Sequence, residues 1–258
     1  MDSPTPGAKF VFRPELHDAD AKVVLGHALP AGRGIEDGEE VLRILAASPA
    51  TARFVTTKLA RHFIADNPPA SVIDRCAKTF LSSDGDIRET MRCIVTGPEF
   101  FSPSALHAKV KTPFELVVST ARAVGGEGDT TQRLSQQMAR LGQPMFGRQT
   151  PDGWPDRGEE WLNSGAVLNR INFALSVAGG QLPGMRPVDW PFAASLRNAA
   201  RDEQVRAIVR DMLGDDISSE TIAALENGTA RGTNPNVSLQ GLAGVVGLAL
   251  GSPEFQRR

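Results

Sequence analysis

Four short stretches of this sequence hold side chains that could do chemistry. The densest is Glu15-Leu16-His17-Asp18-Ala19-Asp20. A histidine beside carboxylates can move protons, and a loop could aim the group at a substrate or a metal. The plainer use is a turn, because aspartates there accept backbone N–H bonds. The spacing matches no metal signature. A second stretch, Lys111-Thr112-Pro113-Phe114-Glu115, offers a Lys111/Glu115 acid–base pair. It also reads as a capping box, with Thr112 as cap, Pro113 at the first helical position and Glu115 at the third. In a third stretch, Trp154 and Trp161 flank a turn and a helix start. Exposed, they could stack on a sugar ring; buried, they would anchor a loop, for which Pro151, Gly153 and Pro155 supply the geometry. Asn163, a further binding candidate, reads as the cap of the next helix. The fourth candidate is Arg170, inside the apolar run Val167–Ala178. A buried guanidinium needs a partner, for which Asp152, Asp156 and Glu115 are available; otherwise it binds an anionic ligand.

Several chemistries are missing. The four histidines, at 17, 27, 62 and 107, show neither His-x-His nor His-Glu-x-x-His spacing. His62 reads as a core histidine beside Phe63. There is no nucleophile elbow, no phosphate-cradling glycine loop and no dinucleotide fingerprint. The chain has no tyrosine, so phenolic acid–base chemistry is excluded. Its net charge of −2 argues against nucleic acid as a partner. No run reaches the ~18 apolar residues of a membrane span. No metal or cofactor is expected. The two cysteines, Cys76 and Cys93, are too few for a disulfide scaffold or a zinc site of cysteines. They lie equally far from the Asp84-Gly85 turn, so an antiparallel helix pair would bring them level. With packed helices ~8–10 Å apart, two neighbouring free thiols are expected rather than a bond.

The elements that must carry these residues are mostly helical. Phe10-Val11-Phe12 and Lys22-Val23-Val24-Leu25 are β-favouring and predict a small hairpin over 10–26 with a long loop. Hydrophobic periodicity and caps then predict helices over 35–47, 49–64, 69–81, 86–95, 112–124, 130–141, 163–178, 201–214, 218–227 and 237–250. In the second of these, Phe54, Val55, Leu59, His62 and Phe63 form the inward side. Turns are expected at Pro151-Asp152-Gly153, Pro183-Gly184 and Asn234-Pro235. The expected architecture is mainly α: an irregular multi-helix globular bundle with a small N-terminal β-hairpin. One domain spans 1–258, with a disordered tail at 1–9, a main core over 35–178, a seam at 179–190 and C-terminal helices over 191–258.

One joint is used twice. Gly97-Pro98-Glu99-Phe100 recurs as Ser252-Pro253-Glu254-Phe255, each after a strongly apolar helix. Proline stops the helix, glutamate suits the start of a new turn, and phenylalanine folds back on the core. Gly97 is expected to take a left-handed cap.

These motifs, in this order, resemble a bacterial family of unknown function, number 1800 among such domains. The resemblance rests on Phe10-Val-Phe-Arg-Pro-Glu-Leu-His-Asp18, Lys22-Val-Val-Leu-Gly26, Pro49 through Phe63, Lys111-Thr-Pro-Phe-Glu115, Pro151-Asp-Gly-Trp-Pro155, Trp161-Leu-Asn163, Arg170-Ile-Asn-Phe173 and Ser252 through Arg257. It is to the family's C-terminal half, which implies a truncated form lacking an N-terminal helical half and an export signal. The resemblance also implies relatives that are often exported, and a sulfatase-like protein encoded nearby as partner. Two functional readings stay open. One is a non-catalytic assembly or interaction module acting with an exported partner. The other is a hydrolase or sugar-acting enzyme, whose site would draw His17, Asp18, Arg170 and Trp154 into one pocket.

Overall fold

The computed structural model describes residues 10–126, 132–182, 184–214, 216–228, 230–231 and 238–258. The tail at 1–9 and the Asn234-Pro235 turn lie outside them. The chain divides into two compact units, one of residues up to Phe63 with Pro68–Phe100, the other of Ile64–Asn67 with Phe101–Arg258. The stretch 179–190 lies inside the second.

The first unit begins with a hairpin of β1 (Lys22–Val24) and β2 (His27–Leu29), antiparallel, with Val23 opposite Ala28. The expected hairpin is present, but its second strand is His27–Leu29 and not Phe10–Phe12. The reason is local. Leu25 and Gly26 both take positive φ, 51° and 84°, which makes the two-residue turn whose twist suits adjoining strands. Helices α1 (Ile35–Ala46), α2 (Pro49–Phe63), α3 (Ala70–Ser82) and α4 (Ile87–Val95) follow. Asp86 caps α4 by accepting from the N–H groups of Arg88 and Glu89.

α2 does not bury the side expected of it. Ala52, Thr56 and Ala60, spaced by four, are fully buried, while Phe54, His62 and Phe63 are exposed. Small residues let the helix axis come close to its neighbours, where packing outweighs the area that Phe54 would bury. His62 is therefore no core histidine; it stands at the surface, edge-on to Phe63 at 4.7 Å.

Cys76 and Cys93 form a disulfide between α3 and α4, with Cα atoms 5.7 Å apart, and neither thiol is free. This corrects the expectation of two thiols. The 8–10 Å spacing belongs to helix axes, and Cα atoms stand about 2.3 Å off each axis. Facing residues on a packed pair therefore come within bonding reach.

The second unit holds α5 (Pro113–Ala123), α6 (Arg133–Arg140), α7 (Ser164–Ala178), α8 (Ala193–Leu196), α9 (Arg201–Ile208), which runs on as a π-helical stretch Val209–Leu213, and α10 (Ser219–Asn227). A short pair β3 (Ala230–Arg231) and β4 (Ser238–Leu239) precedes α11 (Gly241–Gly251). α11 is the axis of this unit: Leu242, Val245, Val246, Ala249 and Leu250 are all buried, as are Gly244 and Gly247. Against it and around it pack Val117, Phe173, Val177, Met185, Ile208 and Leu225 in one hydrophobic core. The last residues return to the start of the unit, Val110 bridging Arg257 and the backbones of Lys109 and Arg258 exchanging hydrogen bonds of 3.1 and 2.8 Å.

The repeated joint closes each unit in the same way. Glu99 receives a bidentate pair from Arg75 and a bond from Ser71, at the start of α3. Glu254 accepts from the Ser218 N–H and hydroxyl and from the Thr221 hydroxyl, at the start of α10. Arg75 and Ser71 hold the Glu99 carboxyl well below its usual range, at about 2. Gly97 does not take the expected left-handed cap. It leaves the space through which the Arg75 guanidinium passes, where a Cβ would collide with it.

Candidate functional site

In the first unit the hairpin and the start of α1 bring a carboxylate and three basic side chains together. Asp37, in the first turn of α1, is only 4% exposed. Its Oδ2 accepts from Lys22 Nζ at 2.7 Å and lies 3.3 Å from His17 Nε2, while its Oδ1 lies 3.3 Å from Arg33 Nε. The Lys22 hydrogen bond, helped by His17 and Arg33, outweighs burial and holds the Asp37 carboxyl below its ordinary value. The hairpin positions Lys22, and edge contact with Phe12 at 5.4 Å positions the His17 ring. The cluster sits in a groove of about 690 Å³ whose walls are Phe10, Phe12, Leu29, Ile35, Val41 and Leu42.

His17 is thus at a site, but the carboxylates that sequence suggested beside it are not. Asp18 turns to accept the N–H of Asp20 at 2.9 Å, the plain use of a turn aspartate. The true cluster residues, Lys22, Arg33 and Asp37, lie 5, 16 and 20 positions beyond His17, and Lys22 also donates to the Asp18 carbonyl at 2.6 Å. The available signal was an aspartate one helical turn before Val41 on the apolar side of α1. Among the described residues, no group of three or more His, Cys, Asp or Glu side chains could hold a metal ion.

In the second unit Thr112 and Glu115 form the capping box. The Thr112 hydroxyl accepts the Glu115 N–H at 3.3 Å, and Glu115 Oε2 accepts the Thr112 N–H at 2.8 Å. The other Glu115 oxygen meets Arg258 Nε at 2.8 Å, so this carboxylate is fully engaged. Thr112→Ala should lower stability by about 1 kcal/mol in urea denaturation. A loss of only a tenth of that would argue against the cap.

Lys111 lies with its ammonium 4.0 Å from the centre of the Phe255 ring. Burial pulls it down to about 8, against the pull of Glu115 and with the push of Arg258. Below pH 8 the folded and unfolded chains both carry the proton, and the folded state bears the full cost of the buried charge. Between about 8 and the ordinary value of 10.5 the folded chain has released a proton that the unfolded chain keeps, so this cost fades as pH rises. Lys111→Met should therefore stabilise the protein by about 1 kcal/mol at pH 7, after discount for solvent screening. The gain should vanish near pH 10.5 when urea midpoints are compared at the two pH values. Tyrosine, which would titrate in the same range, is absent from the chain.

Arg170 is 3% exposed. It bonds none of the three carboxylates expected of it. Its Nη1 donates to Gln256 Oε1 at 2.9 Å and its Nη2 to the Lys111 carbonyl at 2.7 Å. Asp152 is taken by Arg148, and Glu115 acts on Arg170 only at longer range. Burial lowers the guanidinium below its ordinary value, with Glu115 opposing.

Trp161 is buried, its indole N–H donating to the Pro155 carbonyl at 3.1 Å. Trp154 is half-buried, 6.1 Å from Trp161 and 5.6 Å from the Arg148 guanidinium. The geometry is that of an anchored loop. Asn163 caps α7 by accepting the Ala166 N–H at 2.9 Å. Lys111, Glu115 and Arg170 thus converge around the C-terminal residues. His17 and Asp18 belong to the first unit, Arg170 and Trp154 to the second.

Fold and clusters define a mainly helical protein whose described polar groups serve chiefly as caps, clasps and ion pairs. The chain belongs to a family of proteins of unknown function, DUF1800, whose model matches residues 2–257. That match is to essentially the whole chain; the restriction to a C-terminal half expected above is not part of it. No curated protein and no solved structure matches the chain. No described helix is long and apolar enough to cross a membrane.

Proposed function

We propose that this protein is a non-catalytic interaction module, whose first unit takes an apolar segment of an exported partner protein into the groove beside Asp37. The observation that carries the reading is the groove itself. Phe10 and Leu42 line it yet leave 81% and 68% of their surface to solvent. Large apolar side chains gathered at one concave surface mark binding sites far more often than scattered ones do. The ion-paired floor gives the groove a rigid base. The Cys76–Cys93 bridge supports maturation in an oxidising compartment, where such bonds persist. We take the partner to be the sulfatase-like protein that the family likeness implies. The enzyme reading has less support, because the Asp18 carboxylate already serves the backbone of its own turn.

The test is binding between the two purified proteins, measured by calorimetry with the wild type and with Leu42→Glu. The reading expects a complex that Leu42→Glu weakens more than tenfold with no change in melting temperature. Equal affinity for both forms, or no complex with the wild type, would overturn it.

A further inference from the structure

We infer that the second unit carries a binding site for a small aliphatic carboxylate, in the cavity beside Arg170 at the C-terminal end of α11. The cavity holds about 190 Å³. Its charged lining residues are Arg170 and Arg257; no acidic residue lines it. The rest of the wall is mostly apolar: Val110, Leu162, Val167, Ile171 and Pro253.

Arg170 is a buried permanent charge. Its guanidinium has five N–H donors and stays protonated at any ordinary pH. The two acceptors it meets, a backbone carbonyl and the Gln256 amide, are both neutral. Among the described residues no carboxylate stands within ion-pair distance of either Arg170 or Arg257. Glu115, which is nearest in its effect, is already spent on Thr112 and Arg258. A buried cation without a direct counter-charge is costly, and a chain that needed only packing here could use a leucine.

The neutral partners do something a carboxylate partner would not. They fix the plane of the guanidinium and leave its charge uncompensated beside the cavity. A carboxylate matches the fork of an arginine with two parallel hydrogen bonds. Arg257 adds a second positive group at the same cavity and raises its attraction for an anion. The apolar walls fit a short alkyl tail. The volume lies below the ~300–1,000 Å³ of drug-sized pockets, which limits the ligand to a few carbon atoms. The apolar walls give the hydroxyls of a sugar few partners, and a nucleotide exceeds the space.

The probe is isovalerate, with isovaleramide as its uncharged match, titrated calorimetrically into the full chain at pH 7. Because Arg170 is also part of the fold, the variants are made elsewhere. Ile171→Trp fills the cavity from a residue that is itself 41% exposed, and Arg257→Gln removes the second charge from an exposed position. The inference expects saturable binding of isovalerate, at least tenfold weaker binding of isovaleramide, loss of binding in Ile171→Trp and several-fold weakening in Arg257→Gln. It is overturned if isovalerate shows no saturable heat at tens of millimolar, if acid and amide bind alike, or if Ile171→Trp binds as the wild type does. Failure here leaves the groove of the first unit untouched, and failure there leaves this cavity untouched.

Discussion

Reducing the Cys76–Cys93 bridge should cost the protein about 3 kcal/mol, the value for closing a loop of some 15 residues. The bridge spans 17 positions and links α3 to α4 across the Asp84-Gly85 turn. In the unfolded chain it removes conformations that the reduced chain would regain. In the folded state Cys76 is fully buried, so the sulfur stays in place with or without the bond. The measurement is a pair of urea denaturation curves, with and without dithiothreitol. The Cys76→Ala/Cys93→Ala double variant should fall close to the reduced protein. Thiol titration of the untreated folded protein should find no reactive cysteine. Two titratable thiols, or a reduced form within a few tenths of a kcal/mol of the oxidised one, would mean that the bridge is not closed in solution.

Lys109→Met should be at least as damaging, at about 3 kcal/mol, the lower end of the range for breaking a buried ion pair from one side. Lys109 is 5% exposed and its Nζ serves both the Asp66 carboxylate and the Asp156 carbonyl, the latter at 2.8 Å. The second oxygen of Asp66 accepts the Gly158 N–H at 2.7 Å. Gly158 has no room for a side chain there, since a Cβ would come within 2.8 Å of Val110. One lysine thus ties three separate segments of the second unit. The lower end of the range applies because the Asp66 side chain keeps 26% exposure. Burial alone would raise Asp66, but Lys109 and Gly158 together hold it below its ordinary 3.8. Its contribution is therefore present above about 3.8 and fades as pH falls through the lowered folded value. Adding Asp66→Asn to Lys109→Met should recover part of the loss, because the stranded charge is then gone. A single variant within half a kcal/mol of wild type would show the node to be ornamental.

The Lys109 node shares a logic with the repeated Pro-Glu-Phe joint. In each a polar group reaches from one segment to a backbone or charge on another, and holds a turn that propensity alone would leave loose. Glu99 does this for the first unit and Glu254 for the second, at the starts of α3 and α10. The repeat could be read from the sequence. That its first copy stands at the end of one compact unit, and its second near the end of the other, could not.

What the sequence determined by itself is local. Helix periodicity, the caps at Asp86, Thr112 and Asn163, and the presence of an N-terminal hairpin all depend on residues within a few positions of one another. Short-range hydrogen bonds and side-chain spacing suffice for these. The mainly helical class follows from them. The tertiary structure decided the rest, because each remaining question turned on residues distant along the chain. It paired Val24 with His27 through a turn that forces positive φ on Leu25. It put Ala52, Thr56 and Ala60 inward on α2, since how closely two helices approach is a property of the pair. It closed the disulfide for the same reason. It also chose the partners of the charged residues. Asp37 gathered His17, Lys22 and Arg33, and Arg170 found two neutral oxygens where three carboxylates were on offer. Which charge meets which counter-charge depends on packing, and packing is what a single sequence shows least directly.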